Sequence, residues 1–463
     1  MNHAGVLVSI KQKVGLHDVL IARHHVVTIV KPVISNSAER APSVLNRMAA
    51  RGPRYRVGLV PSVTSRRWDF SDEPGSWCAQ SFDISGLHST QEILDHVVGR
   101  RLAVPISVSQ AGESLCVACD HGLGDSHFIW EVCAALTHGN TDTGFVEPLA
   151  APTMTNALVS ALFYAAKSTP RLFVRAAIGL WKPAWSFFRS YVVALVNRLR
   201  VVPSRPAGDQ DERYAAVWSK SDPGFIEEVR RYRDSKHPSA SVNAILMLSI
   251  CRALQECGAS LHDELEVLVD LRRFLPRDTF TFANFHTITR INIGTQPSVE
   301  EFSAALRLSV GSLNRLFGLA GYLAVNRVRM LFARRNRKTE PPLRRPAKSA
   351  QTILTISDVS KTPSLAKIAW ARPDDAEIAS AAPPADQSHI TIFINITPNG
   401  SVQLTASFYA SHIDKLLVAR GLNRALSSVA LKQRPEPISK PYTSCSPRAL
   451  APHKGVNVLW EAT

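Results

Sequence analysis

An α/β protein of two lobes is the fold class this sequence predicts, on three observations. The chain has 463 residues, more than one ordinary hydrophobic core accommodates. Alternating strand-like runs interleave with amphipathic helical stretches, a mixture that argues against an all-helical fold. Residues 203–212 (Pro-Ser-Arg-Pro-Ala-Gly-Asp-Gln-Asp-Glu) have the composition of a linker and fall near the middle. The predicted organisation is an N-terminal lobe over 1–205, a C-terminal lobe over 206–430 and a loose Pro-, Ser- and Lys-rich tail over 431–463.

In chain order, Leu16 to Ile21 reads as a short helix and Val26 to Val33 as a strand. Ile93 to Val98 belongs to an amphipathic helix. Glu113 to Asp120 reads as a strand with Leu115, Val117 and Cys119 on one face and Cys116 and Ala118 on the other. Gly122 and Gly124 break that pattern. From Ser126 onward Phe128, Ile129, Val132, Cys133 and Leu136 recur at helical spacing. Residues 151–205 are apolar but punctuated by Arg171, Arg175, Lys182, Arg189, Arg198 and Arg200, with Trp181 and Trp185 among them. They suit a packed helix pair, or a face resting on a membrane.

The second half opens with helices at about 223–235 and 241–256. Strands follow at Glu266 to Leu271 and Ile288 to Ile293, then one long helical stretch at about 299–335. Residues 336–350 form a basic, Pro-rich loop, and Gln351 to Ile356 reads as a strand. The clearest hairpin joins Ile390–Ile396 to Val402–Phe408 through Thr397-Pro398-Asn399-Gly400.

Hydrophobic residues make up 45% and charged residues 20%, a balance that excludes a disordered chain. The formal net charge of +16 favours anionic partners. Half of it lies between Arg327 and Lys348, where nine Lys/Arg face only Glu340. Nucleic acid is disfavoured, because no aromatic interleaving or recognition module accompanies the charge. Seven cysteines, an odd number, and no visible secretory signal lead to an expectation of reduced thiols in the cytoplasm. No apolar run reaches bilayer length.

The stretch that carries chemistry is Asp120-His121-Gly122-Leu123-Gly124-Asp125-Ser126. An HxxxD spacing alone is weak: with 15 His and 20 Asp, chance yields roughly one. This chain has two. His138–Asp142 sits in a loop-like composition and reads as a solvated turn. His121–Asp125 sits where a strand becomes a helix, and two glycines there let the backbone hold a side chain out into a cleft. Histidine suits general-base work because its pKa lies near working pH.

On these residues the chain resembles the CoA-dependent acyltransferase superfamily, which groups condensation domains, polyketide-associated acyltransferases and wax ester synthase/diacylglycerol acyltransferases. That family carries HHxxxDG at a strand-to-helix junction. Ser241 to Leu254 is similar to the helix opening its second half, and Val267 to Arg272 with Leu275-Pro276 to its strand ending in Arg. Ala283-Asn284 stands where the family has Gly-Asn, and Thr355 to Val359 in the place of its crossover segment. The resemblance spans about residues 15–425. It implies two chloramphenicol-acetyltransferase-like lobes with an active-site tunnel between them. It also implies acyl transfer from a thioester, acyl-CoA or acyl-carrier protein, to an alcohol or amine acceptor of a lipid or natural product. The same resemblance implies that no cofactor is bound and that no covalent acyl-enzyme forms. His121 would be the general base, Asp125 a strut paired with Arg272, and Asn284, Gly124 and Ser126 substrate-binding positions.

Three departures from the family pattern, Asp120, Ser126 and Ala283, keep a second reading open: a catalytically degenerate binding or scaffold protein. Independently of that choice, the basic segment 327–348 suits CoA phosphates or an acidic carrier protein, anionic lipid as a peripheral membrane contact, or a solvated charged loop. A zinc site at Cys116-x-x-Cys119 is disfavoured, because positions three apart on a strand face opposite ways. A Cys nucleophile paired with His121 lacks a third group, and His24-His25 lacks the following Asp.

Overall fold

A computed structural model describes residues 10–427, apart from 35–36, 79–81, 101, 103, 139–153, 179–212, 278, 295 and 336–350. Thirteen strands are named in chain order among the described residues. In the first half they are β1 Ile10–Lys13, β2 His25–Lys31, β3 Leu59–Val60, β4 Arg67–Phe70, β5 Ile106–Ala111 and β6 Ser114–Asp120. In the second half they are β7 Ala215–Lys220, β8 Leu261–Asp270, β9 His286–Asn292, β10 Thr352–Asp358, β11 Glu377–Ala381, β12 His389–Ile396 and β13 Val402–Phe408. The predicted linker 203–212, Trp181, Trp185, Asp142, the basic loop 336–350 and the tail 431–463 lie outside the described residues.

Two mixed layers of sheet and helix result. The N-terminal sheet has the order β11-β2-β6-β5, and all its pairs are antiparallel. The C-terminal sheet has the order β7-β13-β12-β10-β8-β9, with β10 parallel to both its neighbours. A small sheet, β1-β4-β3, stands apart.

Every residue of β6 is buried, and the predicted alternation explains how. Leu115, Val117 and Cys119 pack into a core with the helices Ser37–Ala50 and Ser126–His138. Cys116 and Ala118 face a second core with the helix Thr90–Val97. Apolar residues on both sides therefore lock the register: a one-residue slip would exchange the two faces. In the C-terminal lobe Ile390, Ile392 and Ile394 turn one face of β12 into a core covered by the helices Val242–Glu256, Val299–Gly311 and Lys415–Ala425.

Three expectations are corrected here. Thr355 to Val359 does not cross between lobes; Thr352–Asp358 is a central strand of the C-terminal sheet. The crossing is made by β11, which pairs antiparallel with β2 from Glu377↔Lys31 to Ala381↔Val27. The boundary at 205/206 therefore assigns to the C-terminal lobe a strand that completes the N-terminal sheet. An edge strand must satisfy its outward N–H groups. Those of Ile378 and Ser380 donate to the side chains of Gln403 and Thr405 on β13, which stitches one lobe to the other. Finally, the stretch 299–335 is two helices, Val299–Gly311 and Asn314–Arg335, bent by 58°. Ser312 adopts an extended conformation (ψ 127°) and ends the first.

Candidate active site

The turn after β6 places His121 through a complete accounting of its carbonyl groups. The His121 carbonyl accepts from Asn284 Nδ2 at 2.8 Å. Arg56 donates to the carbonyls of Gly122 (2.9 Å) and Leu123. The Gly124 carbonyl lies 3.1 Å from His121 Nδ1. A carbonyl only accepts, so Nδ1 carries the proton and Nε2 keeps its lone pair. That is the tautomer a general base needs. A buried turn with every carbonyl committed leaves the imidazole little freedom to wander.

Asp120 begins the same turn. Its carboxylate accepts from the backbone N–H groups of Gly122 (2.7 Å) and Arg23 (2.8 Å). Burial pushes its pKa up to about 6. In this chain the residue before the histidine is a backbone cap.

Asp125 and Arg272 meet across the lobes. Arg272 Nη1 lies 2.8 Å from Asp125 Oδ2 and Nη2 3.0 Å from Oδ1, a two-pronged pair with both side chains under 10% exposed. The guanidinium also donates to Asp270 and to the carbonyls of Thr281 and Ala283. Burial alone would raise the Asp125 carboxyl; the Arg272 charge overrides it and holds the group well below the usual carboxylate range.

Of the expected substrate-binding positions, Ser126 is half-buried at the start of its helix. The other two are buried. Asn284 is fully buried, and its Nδ2 is shared between Asp18 Oδ1 (3.0 Å) and the His121 carbonyl. It supports the loop from beneath. Gly124 is buried where an added Cβ would sit 2.4 Å from the Phe282 carbonyl oxygen and from Phe128 Cβ. Glycine is required there by close packing.

Sequence reasoning missed four residues of this site. Asp18, 0% exposed, receives Arg56 Nη2 at 2.9 Å and the backbone N–H of Asn284 at 3.1 Å. Arg56 reaches the loop from a left-handed position (φ 68°) after a short 3-10 turn. His286, at the start of β9, stacks near-parallel to His121 with 6.1 Å between ring centroids. His17 lies 5.0 Å from His286 on its own short helix. The one signal available was position: His286 is two residues beyond Asn284, and His17-Asp18 lies within the first predicted helix.

Burial, and then the neighbouring His286, lower the His121 pKa to about 4. Burial lowers His17 to about 3. His121 is thus a neutral imidazole at physiological pH, ready to accept a proton.

A crevice of about 760 Å³ also opens between the lobes, lined by Lys31, His88, Lys220, Arg372 and Glu377 among others. It adjoins the far end of β2 and β6, roughly 20 Å along the strand from His121, and contains none of the site residues above.

No family model matches the sequence, and no curated protein does. Solved structures do match. The trichothecene 15-O-acetyltransferase TRI3 of Fusarium sporotrichioides superposes with a TM-score of 0.54 at 10% identity, over 91% of this chain and 95% of that one. TRI101 of F. sporotrichioides, solved with coenzyme A and T-2, gives 0.51 at 12% identity over 92% and 98%. The fold is shared with these two acetyltransferases. A nonribosomal peptide synthetase, FmoA3, gives 0.55 at 11% identity. This chain is 93% covered in that match but spans only 43% of the synthetase.

Proposed function

We propose that this protein transfers an acyl group from a thioester, acyl-CoA or an acyl-carrier protein, to a hydroxyl or amine, with His121 as general base. The observation that carries the reading is the His121 tautomer. Nδ1 is committed to the Gly124 carbonyl, so Nε2 is free to take a proton from the acceptor. The acceptor oxygen or nitrogen then attacks the thioester carbonyl, the C–S bond breaks, and the imidazolium returns its proton to the departing thiolate. Asp125 keeps the turn in place through Arg272 and takes no part in proton transfer. The solved relatives bound to coenzyme A support the choice of donor.

The test is thiol release from a panel of acyl-CoAs by the full-length protein. Acceptor-dependent release that disappears in His121→Ala is expected. Release unchanged by that substitution would overturn the assignment of the base.

Two partner contacts belong to the same proposal. The net charge of +16 suits an acidic carrier protein or the phosphates of CoA. Phe163, Leu172, Val174 and Ile178 are exposed beside Arg171 and Arg175, which supports a peripheral contact with anionic lipid. No single described helix is long and apolar enough to cross a membrane. Failure to sediment with anionic liposomes at low salt would exclude the lipid contact.

A further inference from the structure

Resting on the acyl-transfer reading above, we propose that His286 is a second substrate-facing imidazole of the site and selects a primary amine over an alcohol as the acyl acceptor. Its ring lies 19° from parallel with that of His121, and the His17 ring is tilted against it with 5.0 Å between centroids. The His286 Nδ1 atom is buried and has no hydrogen-bond partner. Asp125 Oδ2 lies 3.9 Å from it. A neutral imidazole carries one N–H. An ionised carboxylate beside Nδ1 draws that proton to Nδ1, because the alternative tautomer would point a buried lone pair at a negative charge. The Nε2 atom of His286 is then an acceptor. His121 has the same arrangement, with the Gly124 carbonyl in place of Asp125. Neither Nε2 is bonded by a described residue.

Two neighbouring imidazoles therefore each present a lone pair to one acceptor. A hydroxyl has a single O–H. It satisfies His121 and leaves the second Nε2 stripped of water with nothing in exchange. A primary amine has two N–H groups, one for each ring. In the reaction the amine nitrogen bonds to the thioester carbonyl carbon and gives one proton to His121. The C–S bond breaks, and that proton passes from His121 to the thiolate, so the products are an amide and a free thiol. The second N–H stays on the amide nitrogen and remains hydrogen-bonded to His286, which gains no proton. A site built around such a hydrogen bond discriminates against the analogue that lacks the donor.

Two measurements on the full-length protein test this. Imidazole ¹⁵N spectra of histidine-labelled protein at neutral pH, assigned with His286→Asn, are expected to show His286 protonated on Nδ1. Protonation on Nε2 overturns the proposal, whether or not the protein turns over acyl-CoA. The second measurement is acyl transfer from acetyl- and octanoyl-CoA to a matched pair, n-hexylamine and n-hexanol. The wild type is expected to prefer the amine in kcat/KM by about tenfold or more. In His286→Phe, which keeps a ring against His121 but no acceptor, the ratio should fall towards parity, and His286→Gln should recover part of it. A ratio unchanged in His286→Phe overturns the proposal. If the wild type releases no thiol with either acceptor, the acyl-transfer reading itself fails, and the acceptor choice fails with it.

Discussion

Replacing Arg272 by Met should destabilise the protein by about 3–5 kcal/mol at neutral pH, the usual cost of stripping one partner from a buried ion pair. The magnitude follows from what remains. Asp125 would lose both guanidinium bonds, at 2.8 and 3.0 Å. Its side chain is 9% exposed, so water cannot replace them. The backbone N–H groups of His127 (3.2 Å) and Phe285 (3.4 Å) and, at 3.9 Å, His286 Nδ1 would still face it, none of them a charged partner of the guanidinium's strength. Met fills much of the stem volume, which limits any cavity contribution. The pH dependence has a definite sign. In the wild type the Asp125 carboxyl is held below its unfolded value, so its stabilisation is present above about pH 4 and is lost as pH falls. In the variant burial acts unopposed and raises the group, so the folded state is penalised at neutral pH and less so in acid. The gap between wild type and variant should therefore narrow towards pH 4. Asp125→Asn should cost less, about 1–3 kcal/mol, because Arg272 keeps Asp270 and the carbonyls of Thr281 and Ala283. Guanidinium unfolding followed by circular dichroism reads both variants. An Arg272→Met protein within about 1 kcal/mol of wild type, or a costlier Asp125→Asn, would refute the reasoning.

Other outcomes follow from the same geometry. On the proposed role, His121→Ala should lower thiol release by about 10²–10⁴-fold, and it should also cost about 1–3 kcal/mol because the Gly124 carbonyl loses its Nδ1–H donor. The pH–rate profile should hold its plateau through neutrality and fall only as pH drops through about 4, because the base works unprotonated and burial has lowered its pKa from 6.5. An acid limb near 6.5 would point to another, more exposed group. Gly124→Ala should cost about 1–3 kcal/mol by overpacking and displace the His121 turn, since the new methyl collides with the Phe282 carbonyl; unchanged stability in a thermal melt would contradict that crowding. Asn284→Ala removes the Nδ2 donor shared by the His121 carbonyl and Asp18, and should reduce kcat more than it raises KM.

Much of the architecture was legible because it is written in local periodicity. The alternation in Ser114–Asp120 and His389–Ile396 specifies strands with defined faces, and a chain folded otherwise would expose those residues. The helix beginning at Ser126 and those at 225–236 and 242–256 follow from apolar residues at helical spacing. The strands Ile106–Ala111 and Ala215–Lys220 and the helix Ser37–Ala50 escaped notice. Ser or Ala fills three of the six positions in each of the two strands, and each has only two large apolar residues, so their burial comes from their neighbours. The crossover strand Glu377–Ala381 is the same case: it is small and apolar, and it becomes a strand because β2 has an edge to complete.

For the site, the sequence alone determined that His121 stands at a strand-to-helix turn, and it named Arg272 as a candidate partner for Asp125 from 147 residues away. It could do so because the turn is made by neighbouring residues and the resemblance supplied the pair. What surrounds the imidazole was decided only by the tertiary structure. Asp18, Arg56, His17 and His286 come from separate segments, and nothing in their own neighbourhoods marks them as site residues. Their roles exist only once two lobes exclude water from one place. There an unsatisfied carbonyl or an unpaired charge becomes expensive, so Arg56 and Asn284 must hold the carbonyls of the turn and Arg272 must hold Asp125. The same exclusion of water lowers the His121 pKa and brings His286 alongside it.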